Sequence, residues 1–339
     1  MRQPVVLITG AAGEIGHALI ERLSEHSGIP VITLDLTPLD EALARRVSRE
    51  FSGSILDRNL LQTIHAEFEV DRIYHLAALL STRSEFSPVQ AHDVNVTGTL
   101  HLLEFAMEEA RSHGQPVMFF YPSSIAAYGI KPGDEQADRP LLESELNCPT
   151  TMYGCNKLYC EHLGSYYASH YKQLDAEDYS GKVDFRCIRF PGLISALTVP
   201  SGGTSDYAPE MIHAAAQSRP YACFVRPDTR IPFMTMPDAV DSIFALTEAP
   251  TDKLTQCVYN VSAFNPTAER IEKLVREAYP SAEITYEPDP RRQAIVDSWP
   301  RAVDDQAARG DWGLAPKHDL ESAFADYLIP TIAQRYAVV

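Results

Sequence analysis

The sequence predicts an α/β fold: a doubly wound parallel sheet carrying a smaller C-terminal substrate-binding lobe. Three observations predict it. Short β-branched or aromatic runs alternate with longer amphipathic stretches through the first half of the chain. The first of these runs leads straight into a glycine-rich turn, and after Phe190 the texture changes to proline-rich loops and short mixed elements. Alternation of this kind means strands joined by helices that cross a sheet face, the arrangement of a parallel sheet.

Taken in order, PVVLIT (4–9), PVITLD (30–35), RIYHLA (72–77), PVMFFY (116–121) and VDFRCIRF (183–190) read as buried strands. Amphipathic patterns fit helices at about 14–27, 58–68, 89–113 and 152–172, each long enough to return the chain to the next parallel strand. Beyond the loop PSGGTSD (200–206), a helical DAVDSIFALTEA and a strand-like QCVYNVSA regain the texture of the first half and are expected to rejoin its sheet. The expected division is therefore a dinucleotide-binding domain over 1–190 plus about 237–262, and a substrate-binding lobe over 191–236 and 263–339.

Length and charge narrow the function class. At roughly 150 residues per domain, 339 residues suffice for two lobes, and a composition 45% hydrophobic and 22% charged supplies a large core. Twenty-nine Lys and Arg against 46 Asp and Glu give a net charge of -17, which repels a phosphate backbone and an anionic membrane surface alike. Neither nucleic acid nor membrane is expected as a partner. No apolar stretch approaches the roughly 18 residues of a membrane span, and Val5–Ile8 is too short for a signal segment. The cysteines, Cys148, Cys155, Cys160, Cys187, Cys223 and Cys257, include no CxxC pair. The expectation is a cytoplasmic protein with neither a disulfide framework nor a metal site.

The first strand ends in Gly10-Ala11-Ala12-Gly13-Glu14-Ile15-Gly16, a GxxGxxG turn that opens a helix. Free N–H groups at such a helix start can hold a pyrophosphate. At the end of the second strand stands Asp35, where a carboxylate accepts hydrogen bonds from both ribose hydroxyls of an adenosine and repels a 2′-phosphate. NAD is thereby favoured over NADP. A glycine triplet alone also makes an ordinary tight turn and an aspartate alone an ordinary cap, so it is their joint position that carries the reading.

Tyr153-Gly154-Cys155-Asn156-Lys157 sets a phenol and an ammonium four residues apart, on one face of a helix. A tyrosine, with its pKa of about 10, acts as a base at neutral pH only beside positive charge, which Lys157 and an oxidised nicotinamide would supply. Upstream, PVMFFY runs into Pro122-Ser123-Ser124, delivering hydroxyls to the carboxyl end of the sheet, where open α/β proteins bind ligands. Such serines also cap turns, and such Tyr/Lys pairs also sit on solvated helix faces.

Together GAAGEIG, Asp35, the strand end His75-Leu76-Ala77-Ala78, Asn95 in VNVTGT, PSSIAAYG and YGCNK resemble the extended short-chain dehydrogenase/reductases, in order along the chain to about Gly192. The resemblance implies an enzyme with a Rossmann domain, NAD as cofactor, and Ser124, Tyr153 and Lys157 as catalytic set. Ser124 is the serine that lies five residues before Gly129, as the family's catalytic hydroxyl does. The implied cofactor contacts are Gly10, Gly13, Glu14, Ile15, Gly16, Asp35, Leu36, Asp57, Leu76, Ala77, Ala78, Asn95, Tyr153, Lys157 and Pro191. Asn95 matches an asparagine whose helix kink supports a water beside the lysine. Family members commonly pair through the helices that here span about 89–113 and 152–172, so a homodimer is expected.

Four further stretches look like the short-chain type of NAD-dependent L-threonine 3-dehydrogenases: Ala78-Leu79-Leu80-Ser81, PGLIS through PSGGTSDYA (191–208), CFVRPDTRIPFMTMPDAV (223–240) and DPRRQAIVDSWPRAVDDQAARGDWG (289–313). Carried over as substrate contacts are Ser81, Ser124, Tyr153, Thr204 and Trp299. They suit a small amino acid: Ser81 and Thr204 offer hydroxyls to a carboxylate, Trp299 can close as an apolar lid, and Asp206 can face an ammonium. The implied reaction is oxidation of L-threonine to L-2-amino-3-oxobutyrate, with Tyr153 as base, Ser124 orienting the hydroxyl, and Lys157 holding the ribose and lowering the Tyr153 pKa. Two alternatives stay open at this point. One is a sugar-nucleotide epimerase or dehydratase, for which Arg219, Arg226 and Arg230 could hold a diphosphate; the other is a non-catalytic NAD-sensing module. Apparent insertions lie at 133–150 and 173–182.

Overall fold

In the computed structural model, which describes residues 2–26, 28–131, 139–200 and 202–337, the chain opens with β1 (Gln3–Thr9). Val5 to Ile8 are fully buried, each such side chain being worth about 1.5–3 kcal/mol, and this fixes where Gly10 emerges. There follow α1 (Glu14–His26), β2 (Val31–Asp35), α2 (Glu41–Ala44), β3 (Arg49–Ser52), α3 (Arg58–Glu67), β4 (Phe68–His75), α4 (Ser81–Phe86), α5 (Pro88–His92), α6 (Gly98–His113) and β5 (Val117–Ser124). Then come α7 (Met152–Ser169), β6 (Val183–Phe190), β7 (Gly192–Ile194), α8 (Tyr207–Ala216), β8 (Tyr221–Cys223), β9 (Phe233–Thr235), α9 (Met236–Glu248) and β10 (Val258–Asn260). The chain ends with α10 (Ala268–Ala278), β11 (Ile284–Tyr286), α11 (Pro290–Asp297), α12 (Gln306–Trp312), α13 (Leu320–Ser322) and α14 (Ile329–Ala337).

Seven strands form one sheet in the order β10-β6-β5-β4-β1-β2-β3, and β1 pairs in parallel with both β2 and β4. The fold is the doubly wound α/β arrangement expected. The direction of winding reverses between β1 and β4, so the carboxyl ends of these two strands flank the crevice where such sheets bind ligands. β10 does return to this sheet, beside β6.

The chain packs as two units. The first comprises 1–123, 155–188 and 246–258. Its core is made by Val5, Leu7, Ile32, Leu34, Ile73, Phe119, Cys187 and their neighbours. The apparent insertion at 173–182 lies in this unit, where Tyr179 packs edge-on to Tyr171, itself stacked on Tyr167 of α7. The second unit comprises 124–154, 189–245 and 259–339. It contains two small parallel pairings, β7 with β9 and β8 with β11, and an apolar cluster that includes Tyr207, Met211, Phe233, Ile271 and Phe324. No helix among the described residues is long and apolar enough to cross a membrane.

The structure departs from expectation in four places. The described residues of 124–154 fall in the second unit, because Ile125, Ala126, Tyr128, Ile130 and Leu141 bury their side chains in its apolar cluster; 133–138 of the apparent insertion at 133–150 lie outside the described residues. Residues 237–245 and 259–262 fall there as well. The short strand β3, with only Phe51 buried, was not expected. The helix expected over 89–113 is not continuous: the kink expected at Asn95 is a π-helical turn at Asp93–Thr97 that separates α5 from α6.

Candidate active site

The glycine turn is shaped by close backbone approach. Gly10 has φ +69°, and a Cβ there would fall 2.5 Å from the Ala77 nitrogen at the end of β4. A Cβ on Gly16 would fall 2.4 Å from the Ala11 carbonyl oxygen. Neither position tolerates a side chain, so the turn lies flat against β4 and the first turn of α1, Glu14 to Gly16, opens beyond it. The Asp35 carboxylate accepts from the backbone N–H of Ala12 at 3.0 Å and of Thr37 at 2.9 Å. Each carboxylate oxygen has a second lone pair, so both ribose hydroxyls can still be received. Leu36 beside it is 76% exposed, an apolar side chain open to an adenine face. Asp57 caps α3, accepting from the N–H of Asn59 and Leu60.

Leu76, Ala77 and Ala78 are half-buried at the end of β4. The side chain of Asn95, inside the π-helical turn, grips the next residue by both ends: its Oδ1 accepts from Leu79 N at 2.7 Å and its Nδ2 donates to Leu79 O at 3.0 Å. The kink expected at Asn95 is therefore a π turn, and what it visibly holds is the segment leading to Ser81 at the start of α4. His75 spans from Thr9 Oγ1 (2.8 Å) to Thr99 Oγ1 (2.9 Å) and links the ends of β1 and β4 to α6. Burial pushes its pKa down to about 3, so it is neutral.

Tyr153 and Lys157 stand on α7, one turn apart. Burial pushes the Tyr153 phenol above its ordinary range. The Lys157 ammonium donates to the Pro122 carbonyl at 2.5 Å and lies 4.5 Å from the ring centre of Tyr121. Burial brings it down to about 8, against the opposing pull of Cys160, Cys187 and Glu161. Ser124 ends β5, and its Oγ accepts from Ala126 N at 3.1 Å, closing a short 3-10 turn. Gly154 abuts that turn: a Cβ there would lie 2.0 Å from the Ala126 carbonyl oxygen. The start of α7 thus packs directly on the turn that Ser124 begins. The sequence pattern does not single out Glu161, yet the Ser123 hydroxyl donates to it, four residues past Lys157. That spacing was the available signal.

Three other expected substrate residues belong to the second unit or stand apart from it. Thr204 is buried just before α8, in a loop tied by the Gly203 N–H to Asp206 (2.6 Å) and by Arg292 to the Gly203 carbonyl (2.8 Å). Asp206 is thus engaged in closing its own loop. Trp299 is 6% exposed, within the same apolar cluster as Ile125 and Tyr128, against which Tyr153 also packs. Its turn is held by the bond from Ile130 N to Ser298 O at 2.9 Å. Ser81 is half-buried in the first unit. Pro191 is buried between β6 and β7. Among the described residues one group of metal-ligating type, Glu69, Asp71 and His113, lies at the start of β4, the opposite end of that strand from the glycine turn.

Residues 6–262 match the NAD-dependent epimerase/dehydratase family. The chain belongs to that family. An uncharacterized epimerase/dehydratase of Staphylococcus haemolyticus is 37% identical over 93% of both chains. Among solved structures, L-threonine dehydrogenase from Clostridium difficile is 34% identical over 99% of both chains, with TM-score 0.85. The GalE-like L-threonine dehydrogenase from Cupriavidus necator, in holo form, is 36% identical over 98% of this chain and all of that one, with TM-score 0.83. A UDP-glucose 4-epimerase from Thermotoga maritima shares the fold at 20% identity and TM-score 0.79. Within the family the cofactor is NAD(H), and the flat glycine turn, the α1 start and the Asp35 carboxylate fit it. The chain is thus an enzyme of the NAD-dependent epimerase/dehydratase family.

Proposed function

We propose that this family member oxidises L-threonine to L-2-amino-3-oxobutyrate. The observation that carries the reading is its likeness, over nearly the whole chain and second unit included, to L-threonine dehydrogenases at 32–36% identity. Tyr153 takes the proton of the side-chain hydroxyl while the Ser124 hydroxyl orients that oxygen. Bound NAD+ supplies the acceptor for the hydride released from the β-carbon, together with a positive charge. Because burial alone raises the Tyr153 pKa, the base works only with positive charge at hand. Lys157 provides part of it and holds the nicotinamide ribose. Ser81 and Thr204 receive the substrate carboxylate, and Trp299 lines the apolar side.

Two of the three arginines of the epimerase alternative already have side-chain or backbone partners in the structure. Arg226 makes a two-bond ion pair with Asp297 and a further one with Asp228, while Arg230 donates to Asn265. Incubation with NAD+ and either L-threonine or UDP-sugars separates the readings. Steady accumulation of NADH with threonine is expected; a sugar nucleotide converted without net NADH, and no response to threonine, would replace the proposal.

A further inference from the structure

We propose that Glu161 is a positioning residue for the Ser124, Tyr153 and Lys157 set: its buried carboxylate keeps the Lys157 side chain charged and, through Ser123, holds the end of β5 in place. This rests on the reading of that set given above. Glu161 lies four residues after Lys157 on α7, so the two side chains share one face. Both are buried, at 3% and 2% exposure. Glu161 accepts the hydrogen bond of the Ser123 hydroxyl, while Lys157 donates to the carbonyl of Pro122, the residue before. Successive turns of α7 thus clamp successive residues of β5, and Ser124 is the next residue along. A carboxylate is poorly tolerated in the interior unless a cation and hydrogen bonds compensate, and the ammonium and the serine hydroxyl are such compensations.

The groups facing Lys157 come from four elements. They are the Tyr121 ring on β5, Cys160 and Glu161 on α7, Cys187 on β6, and His75 at the end of β4. His75 is neutral above about pH 3, and burial raises the Cys160 thiol, so Glu161 is the carboxylate of the group. The charged form of a lysine is lost as pH rises through its pKa, which burial here sets at about 8. Removing the Glu161 charge must therefore move that loss to lower pH.

Glu161→Gln keeps an acceptor for Ser123 and nearly the same volume but no charge. In protein carrying 13Cε-lysine, with the Lys157 signal assigned by Lys157→Met, Lys157 is expected to titrate about half a pH unit or more lower in the variant. The alkaline limb of the activity profile should move with it. Ser123→Ala, which keeps the carboxylate, should shift the titration less. An unchanged Lys157 titration in Glu161→Gln overturns the proposal, whatever the substrate proves to be. A shifted titration with an unmoved activity profile instead leaves the hold on Lys157 standing and overturns the reading of that ammonium as a working group.

Discussion

Burial acts in opposite senses on the two titrating members of the proposed catalytic set, holding the Tyr153 phenol protonated and weakening the Lys157 ammonium. Neither departure is legible in YGCNK itself, because both depend on strands far away in the sequence. What the spacing does convey is that phenol and ammonium share a face. Replacing Tyr153 with Phe removes the proton acceptor and leaves the glycine turn intact. A loss of kcat of at least about 10²-fold is expected with NAD+ affinity nearly unchanged, measured by NADH formation and by equilibrium binding; retention of most activity would remove Tyr153 from its role. In the structure Asp35 receives backbone N–H groups of the turn, and its remaining lone pairs are those proposed to receive the ribose hydroxyls. Asp35→Asn preserves an acceptor for the turn and removes the charge. The ratio of kcat/KM for NAD+ over NADP+ should fall, by roughly tenfold for each 1.4 kcal/mol of lost preference, and a constant ratio would mean that Asp35 does not read the ribose.

Among the elements, α7 does most to place the proposed catalytic set, since its first turn packs on the turn after Ser124 and its second sends Lys157 to β5. Gly154 permits that packing. Gly154→Ala places a methyl against the Ala126 carbonyl, so α7 must shift. A stability loss of about 1–3 kcal/mol with a fall in kcat is expected, read by thermal unfolding and NADH formation, and a variant that is both stable and fully active would show that the approach is unimportant. The strands with strong apolar runs were readable from sequence because a central strand buries both faces and leaves an unbroken hydrophobic signature. β3 was not, since an edge strand burying only Phe51 leaves none. The kink at Asn95 is expected only through the resemblance; that it takes the form of a π turn whose Asn95 holds Leu79, sixteen positions back, depends on a long-range contact the local pattern does not carry.

For the molecule as a whole, the doubly wound sheet and the return of β10 to it followed from texture, and the family from ordered motifs. The assignment of 124–154 did not, because the apolar residues of PSSIAAYG look alike whichever core receives them. Their partners, such as Tyr207, Phe233 and Trp299, stand tens of residues downstream. That packing ties the segment between Ser124 and Tyr153 to the unit that also holds Thr204 and Trp299, and so ties the reacting groups to the residues proposed to choose the substrate. Selectivity should follow from it. A substrate held by its carboxylate and ammonium presents the β-carbon hydrogen in one direction, whereas an alcohol lacking them leaves polar groups unmatched and is misaligned. The most direct measurement is the initial rate of NADH formation from NAD+ with L-threonine, set beside D-threonine, L-serine and a plain secondary alcohol. The account predicts rapid turnover of L-threonine and little of the other three; no NADH from L-threonine, or equal rates for it and the plain alcohol, would contradict it.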